Sequence, residues 1–570
     1  MVLKGTPVSP GIAIGKLYVY RPFQIDVAET FAAAGEAENQ IARFEEVREK
    51  AAGELEGIRA SLEQEDPEKA KIFTAHGDIL HDIAIDEEII AGIRENHWAG
   101  EWAIQKIFTQ FAGMIAKARD PLIRERAADF DDVRKRLLRL WYGVKESSLS
   151  CLTRPVIVAA RDLLPSDTAT LDRGKVLAIL TETGGAASHS AIIARSFGIP
   201  AVLGIPGLLD QVRDDLSAAV DAVTGEVVIE PAAALAEEYE RRREAFLREA
   251  AETKTYLARA PLTACGVRVD IGLNIGAADD RELAGEPYTD FVGLFRTEFL
   301  YMGRDTLPPE DEQFEIYKRV LLRYDGRPVT LRTLDIGGDK PLACMNLPKE
   351  DNPVLGSRAL RLCFAYPDLF KTQLRAALRA SVFGNLWLMF PMVGSLDDIR
   401  RAKAFLAEVK AELDAEGVPC SGDFKTGIMV EIPSIAMIAD LAVKEVDFAS
   451  IGTNDLCQYL TAADRMNPLA AEYYQAYHPG IFRMIGTVTG HFNRAGKPVC
   501  VCGEMGGDPL AAPVLVGLGL RKLSMGLASI AGIKRILSGL TITKAEALAR
   551  TASELATAEE VETYLRENLR

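Results

Sequence analysis

Apolar residues follow three different rhythms along the 570-residue chain. Over residues 25–145 they recur every three to four positions with little β-branched clustering, as in IARFEEVREKAAGELEGIRASL and EWAIQKIFTQFAGMIAKA. That period predicts a bundle of amphipathic helices. From Pro155 to about residue 231, short Val/Ile/Ala runs alternate with Gly and Pro (RPVIVAARDL, KVLAILTE, IPAVLGIPG, VVIEP), which predicts a small α/β unit. A strand-like run at residues 11–20 precedes the helical stretch; if it belongs to the α/β unit, the bundle is an insertion. Residues 232–260 are charged, alanine-rich and free of Gly and Pro, as a linker helix would be.

Beyond Pro261 come eight apolar runs separated by helical stretches: VDIGLNIG, FVGLFRTE, VTLRTLD, LWLMFPMV, TGIMVE, VDFASIGTND, PVCVCGE and KLSMG. Eight such units in about 300 residues predict a closed (β/α)8 TIM barrel, with a doubly wound open sheet as the competing arrangement. The expected fold class is therefore α/β: a C-terminal barrel preceded by a small α/β domain carrying the helical bundle.

Composition narrows the setting. With 26% charged and 48% apolar residues the chain is globular, neither disordered nor collagen-like. A net charge of −16 argues against broad binding to nucleic acid or anionic lipid. Acidic residues are concentrated in the helical stretch, so a protein docking there should be basic or apolar. No window reaches the roughly 20 apolar residues of a membrane span, and MVLKGTPVSPGIAIGK lacks a signal-peptide core. A cytoplasmic location is expected. Eight scattered Cys without paired CxxC motifs read as reduced thiols, not disulfides or a zinc site.

Catalytic groups in such barrels project from the C-terminal strand ends. Here those ends carry Arg296 with Glu298, Arg332 with Asp335, Glu431, Asn454 with Asp455, and Cys502 with Glu504. So much Arg, acid and amide at successive ends exceeds what rim solubility requires. Arg296 and Arg332, with Arg358 and Arg465 in nearby loops, can offer planar forks to phosphate and carboxylate oxygens. Glu431 and Asp455 supply hard oxygens suited to Mg²⁺, which takes one or two carboxylates plus substrate phosphate. The implied ligand is a small phosphorylated acid with a divalent metal. Cys502 could be an inert strand thiol, half of a pair with Cys500, or a chemical group at the rim.

A second signal lies outside the barrel. In ETGGAASHSAIIARSFGIPAV, a Gly pair leads through Ser188 and His189 into a helical run ended by Gly198 and Pro200. The positive helix end would stabilise an added phosphate on His189 and keep the imidazole neutral and nucleophilic. His76, His81, His97, His478 and His491 lack such a setting. Residues 11–16 fail as a P-loop, with three residues between the glycines and Leu17 in place of Ser or Thr, and no GxGxxG follows a strand.

GGxxSHxAIxAR at residues 184–195, SPGIAIGK, FRTEFLYM, TLDIGGDKP, GIMVEIPS, SIGTNDLCQY with Arg465, and VCGEMGGDP together closely resemble the enzyme I family of the bacterial phosphotransferase system, the phosphoenolpyruvate-protein phosphotransferases. The match runs nearly end to end. The resemblance implies that phosphoenolpyruvate and Mg²⁺ bind the barrel, His189 takes the phosphoryl group, pyruvate leaves, and the phosphocarrier protein HPr receives the group on the helical subdomain. It implies substrate clamps at Arg296, Arg332 and Arg465 with Asn454 and Asp455, a metal held by Glu431 and Asp455, Cys502 as proton donor, and Lys340 and Arg358 as further phosphate contacts. The domains become 1–20 with 146–231 (phosphohistidine), 21–145 (HPr-binding), 232–260 (linker) and 261–570 (barrel), and a homodimer through the barrel is implied. Members usually have Thr before the Ser-His pair; this chain has Ala187.

Pyruvate phosphate dikinase and phosphoenolpyruvate synthase share the mobile histidine domain and barrel, but need a nucleotide-binding domain for which residues 1–183 leave little room. A nitrogen-related branch of the family carries an extra N-terminal sensory domain; the early phosphohistidine motif favours the sugar-uptake branch. A non-catalytic scaffold is opposed by the joint presence of nucleophile, clamps, metal carboxylates and acid.

Overall fold

A computed structural model describes the chain except residues 22–26, 34, 63–66, 116–126, 145–148, 150–151, 164–170, 172–173, 186–187, 303, 305, 338–344, 346, 349 and 570. It divides into two units, Met1–Glu249 and Ala250–Arg570.

The first unit is built on an eight-stranded sheet: β1 (Val2–Lys4), β2 (Thr6–Ser9), β3 (Ile12–Tyr20), β4 (Val156–Ala160), β5 (Val176–Thr181), β6 (Ala201–Leu203), β7 (Ser217–Asp221) and β8 (Glu226–Ile229), in the order β1-β8-β7-β3-β4-β5-β6-β2. β3 runs parallel to β4, with Lys16 opposite Val156 and Tyr20 opposite Ala160. A parallel pair requires a long crossover. Here the crossover is the helical segment, with helices Ala37–Leu62, Pro67–Leu80, Ile83–Glu95, Gly100–Ile115 and Ala127–Trp141. Their apolar faces converge on a separate core that includes Phe44, Ile89, Ile104, Leu137 and Trp141. The sequence pattern did not reveal β1, β2 or β7. β1 and β2 are very short edges, and Pro7 cannot donate to a ladder, a usual feature of protected edges. After β8, helix Ala233–Lys254 begins by docking on this sheet: Tyr239 is buried, its hydroxyl donates to Glu226 Oε1 at 2.8 Å, and Arg242 pairs with Asp221.

The second unit is a closed barrel. Its strands are β9 (Asp270–Ile275), β10 (Phe291–Arg296), β11 (Val329–Arg332), β12 (Leu386–Phe390), β13 (Lys425–Val430), β14 (Phe448–Ile451), β15 (Val499–Val501) and β16 (Lys522–Met525). Each of the eight apolar runs contains one strand. Neighbours are all parallel, and β16 returns to β9 with Lys522 opposite Asp270 and Met525 opposite Leu273, which excludes the open sheet. Leu294, Trp387, Met389, Met429, Phe448 and Cys502 fill the barrel interior, so it is a packed plug and not a pore. The larger core lies between the strands and the surrounding helices. Among the described residues no helix is long and apolar enough to cross a membrane.

Candidate active site

The apolar plug stops short of the C-terminal strand ends, leaving a cavity of about 330 Å³. Arg296, Arg332, Glu431, Asn454, Asp455, Arg465 and Cys502 all line it, from β10, β11, β13, β14 and β15 and the turns after them. Residues as far apart in the chain as Arg296 and Cys502 thus meet in one site because every strand runs the same way. Two glycines allow the close approach. A Cβ on Gly503 would lie 2.0 Å from Thr453 Oγ1 and 2.6 Å from Thr453 N, and one on Gly452 would lie 2.9 Å from Glu431 Oε2.

Charges beneath the cavity alternate in a buried row. Glu298 Oε1 accepts from Arg332 Nη2 at 2.5 Å, Arg332 Nη1 lies 3.0 Å from Asp335 Oδ2, Arg358 Nη2 lies 3.0 Å from Asp335 Oδ1, and Arg358 Nη1 reaches Asp455 Oδ1 at 3.2 Å. Burial opposes the Arg332 cation, but Glu298, Asp335 and Glu431 outweigh it and hold its pKa above the ordinary arginine value. Arg358 behaves alike, with Asp335 and Asp455 outweighing burial. Arg296, by contrast, is exposed at the end of β10.

Glu431 and Cys502 are protonated more readily than usual. For Glu431, burial followed by the Asp455 and Asp335 carboxylates raises the pKa, against the pull of Arg332 and Arg358. Its Oε1 accepts from Met392 N at 2.5 Å, a contact aimed by the left-handed backbone of Met392 (φ 53°), while Oε2 is buried without a hydrogen-bond partner. That orphaned oxygen and the nearby Asp455 carboxylate are a hard-oxygen pair able to hold a divalent cation. Among the described residues, no three His, Cys, Asp or Glu groups form a fuller cage. The Cys502 thiol is pushed up to about 11, first by burial and also by Glu431, while Ser450, Arg332 and Arg296 work the other way. It is a neutral S–H at the mouth of the apolar plug, positioned as a proton source and not as a thiolate.

Asn454 ties two strand ends together: its Nδ2 donates to Glu504 Oε1 at 3.2 Å, and Glu504 N donates to Asn454 Oδ1 at 3.1 Å. It opens helix Thr453–Thr461, whose amide end favours an anion in the cavity.

In the first unit, His189 begins helix His189–Phe197. Ser188 caps it, accepting from Ala191 N at 3.3 Å, and Gly198 ends it. The neighbouring Ser190 hydroxyl donates to Asp162 Oδ1 at 2.8 Å and anchors the first turn. Ala187, in the place of the usual Thr, lies outside the described residues, as does Lys340.

Models of the PEP-utilising enzyme family match the chain in three stretches: the N-terminal domain at residues 4–126, the mobile domain at 152–225 and the PEP-binding domain at 250–542. A phosphoenolpyruvate-protein phosphotransferase of Bacillus sp. (strain S) is 45% identical over 99% of this chain and 97% of its own length. The protein of that name from Geobacillus stearothermophilus shows the same identity and coverage, and that of Bacillus subtilis (strain 168) is 43% identical over the whole of both chains. The chain belongs to the phosphoenolpyruvate-protein phosphotransferase family. The resemblance carried by the motifs is therefore correct.

Within this family fold, one reading of the residues needs correction. Arg358 does not offer its fork to a ligand: it is 1% exposed and its donors are spent on Asp335, Asp455 and Tyr459. Two polar lining residues were missed, Asn274 and Ser529. Asn274 is the penultimate residue of β9 in the run VDIGLNIG, and its Nδ2 donates to Cys502 O at 2.9 Å while Ser524 Oγ donates to its Oδ1 at 2.6 Å. The signal for Asn274 was available, since a polar residue near the end of an apolar strand is what marked the other groups.

The thiol environments predict an order of alkylation. Cys265 is exposed and its pKa is lowered, chiefly by the hydrogen bond from the Thr263 hydroxyl, whereas burial pushes the Cys502 thiol up. Peptide mapping after brief iodoacetamide treatment at pH 8 should find Cys265 modified well before Cys502, with Cys502 gaining reactivity as pH rises. Early modification of Cys502 would contradict the buried neutral thiol.

Proposed function

We propose that this chain performs the first phosphoryl transfer of a phosphotransferase system, moving the phosphoryl group of phosphoenolpyruvate to His189 and then to a histidine of the carrier HPr, with release of pyruvate. The observation that carries this reading is the meeting of guanidinium forks, two carboxylates and a protonated thiol around one small cavity. Arg296, Arg332 and Arg465 bind the phosphate and carboxylate of the substrate, with Asn454 and the amide end of its helix beside them. Glu431 and Asp455 hold Mg²⁺, which when bound would neutralise phosphate charge. The chain's own groups do the rest: the P–O bond to the enol breaks as the N–P bond to His189 forms, and Cys502 S–H gives its proton to the enolpyruvate methylene carbon, leaving pyruvate and a thiolate to be reprotonated. Positioning and charge neutralisation supply most of the barrier lowering in such transfers.

The family and the acidic helical segment support HPr as the partner of residues 21–145, with the sugar-uptake branch as the pathway and the cytoplasm as the place. A homodimer through the barrel is supported by large apolar groups left exposed on the loops after β11, β13 and β14: Leu355, Met437, Met466, Tyr473 and Leu469, the last 90% exposed.

Labelled phosphoenolpyruvate with Mg²⁺ and no ATP should place acid-labile, alkali-stable phosphate on the full chain. His189→Ala should abolish both label and pyruvate release without unfolding the protein; label retained in that variant would remove His189 from the reading. Cys502→Ala should still be labelled but release pyruvate more slowly, by about 10²–10⁴-fold for a lost general acid. Sedimentation of Leu469→Asp with Met437→Asp should shift the protein toward monomer, and an unchanged dimer would place the interface elsewhere.

A further inference from the structure

A buried polar network runs behind the cavity without touching it. β11 leaves its ladder just after Arg332: Thr333 N still donates to Met389 O at 2.9 Å, but the next amide, Leu334 N, meets the side chain of Gln373, donating to Oε1 at 2.8 Å. Gln373 sits on helix Pro367–Ala380 and is 1% exposed. Its Nε2 donates to Thr297 Oγ1 at 2.9 Å and faces Tyr317 OH at 3.3 Å. Thr297 Oγ1 in turn donates to the carbonyl of Arg332 at 2.9 Å.

Orientation of this amide is fixed. Its oxygen must face Leu334 N–H, because the other two neighbours take its two N–H groups, and Tyr317 OH is itself directed onto Gln313 Oε1 at 3.0 Å. Both N–H groups and the oxygen of Gln373 have partners, and in a buried interior each lost partner leaves a costly unsatisfied group. Four charged groups depend on the backbone held here. Thr297 lies between Arg296 and Glu298 at the end of β10. Leu334 lies between Arg332 and Asp335 at the end of β11. Gln373 and Thr297 therefore lock two adjacent strand ends at one separation, and with it the backbone positions from which the Arg296 and Arg332 side chains start.

We propose that Gln373, acting through Thr297 and the Arg332–Asp335 segment, is a positioning residue for the phosphate clamp, setting where Arg332 stands relative to Arg296. This rests on the reading of Arg332 as a substrate-binding group. Gln373 touches no substrate; its effect travels through the backbone of β11.

The test is a double-mutant cycle on the full chain, reading phosphoenolpyruvate-dependent pyruvate release in four proteins: unaltered, Gln373→Leu, Arg332→Lys and the pair. Gln373→Leu should lower kcat/KM about tenfold, mostly through KM, as expected when a group that binds the phosphate equally in ground and transition states is displaced. In the Arg332→Lys background the same change should cost less than about twofold, because the group being positioned is already gone. Losses that multiply would assign Gln373 a merely structural role and overturn the proposal, as would an inert Gln373→Leu beside a damaging Arg332→Lys. If Arg332→Lys is itself silent, the site reading fails and takes this proposal with it, a result distinguishable from the others. Thr297→Val, which keeps the side-chain shape and removes only the hydroxyl between Gln373 and the Arg332 carbonyl, should couple to Arg332→Lys in the same way; independence of those two changes would also overturn the proposal, including where Gln373→Leu fails to fold.

Discussion

The barrel site depends on one arrangement, the buried row Glu298–Arg332–Asp335–Arg358–Asp455, in which every guanidinium lies between two carboxylates. Isolated charges at such depth would neutralise or pull the strands apart, and removing one partner of a buried pair costs about 3–5 kcal/mol. Alternation solves this locally. It also fixes the geometry of the site, because members of the row belong to the ends of β10, β11 and β14 and to the loop after β11. Arg358 makes the longest span, joining Asp335 to Asp455 across the cavity floor. The buried Arg358 thus holds two lining residues in their places, Asp455 directly and Arg332 through Asp335.

The same floor explains the two raised acids. Glu431 stands beside a row already carrying more carboxylates than guanidiniums and is itself buried, so its carboxyl holds its proton more tightly than usual. Cys502 stands over Leu294, Met389 and Met429, and the apolar surroundings keep it a thiol. A barrel interior filled with hydrocarbon therefore shapes the site: it keeps Cys502 a neutral S–H at neutral pH. His189 belongs to a different unit with its own sheet.

Much of this was legible in the sequence, and the failures have physical causes. The barrel strands were visible because parallel strands buried on both faces read as continuous apolar runs, and polar residues closing those runs marked the cavity lining. Ser188, His189 and Gly198 announced a capped helix. β1, β2 and β7 escaped because strands of three to five residues with Pro7 or consecutive alanines carry too little pattern. Arg358 was misread for a different reason: a linear sequence does not show whether a loop arginine turns outward to a ligand or inward to a carboxylate. Gln373 was overlooked although its spacing from Leu369, Phe370, Leu374 and Ala377 places it on the buried face of an amphipathic helix, where an amide needs partners.

The most direct test is the affinity of the full chain for phosphoenolpyruvate with Mg²⁺, measured calorimetrically for His189→Ala alone and for His189→Ala with Arg358→Lys. Lysine keeps the charge but cannot bridge Asp335 and Asp455 with a planar fork, so the second protein should keep its fold and bind about tenfold more weakly. Equal affinity in the two proteins would mean that the buried row does not set the site, and would contradict the account.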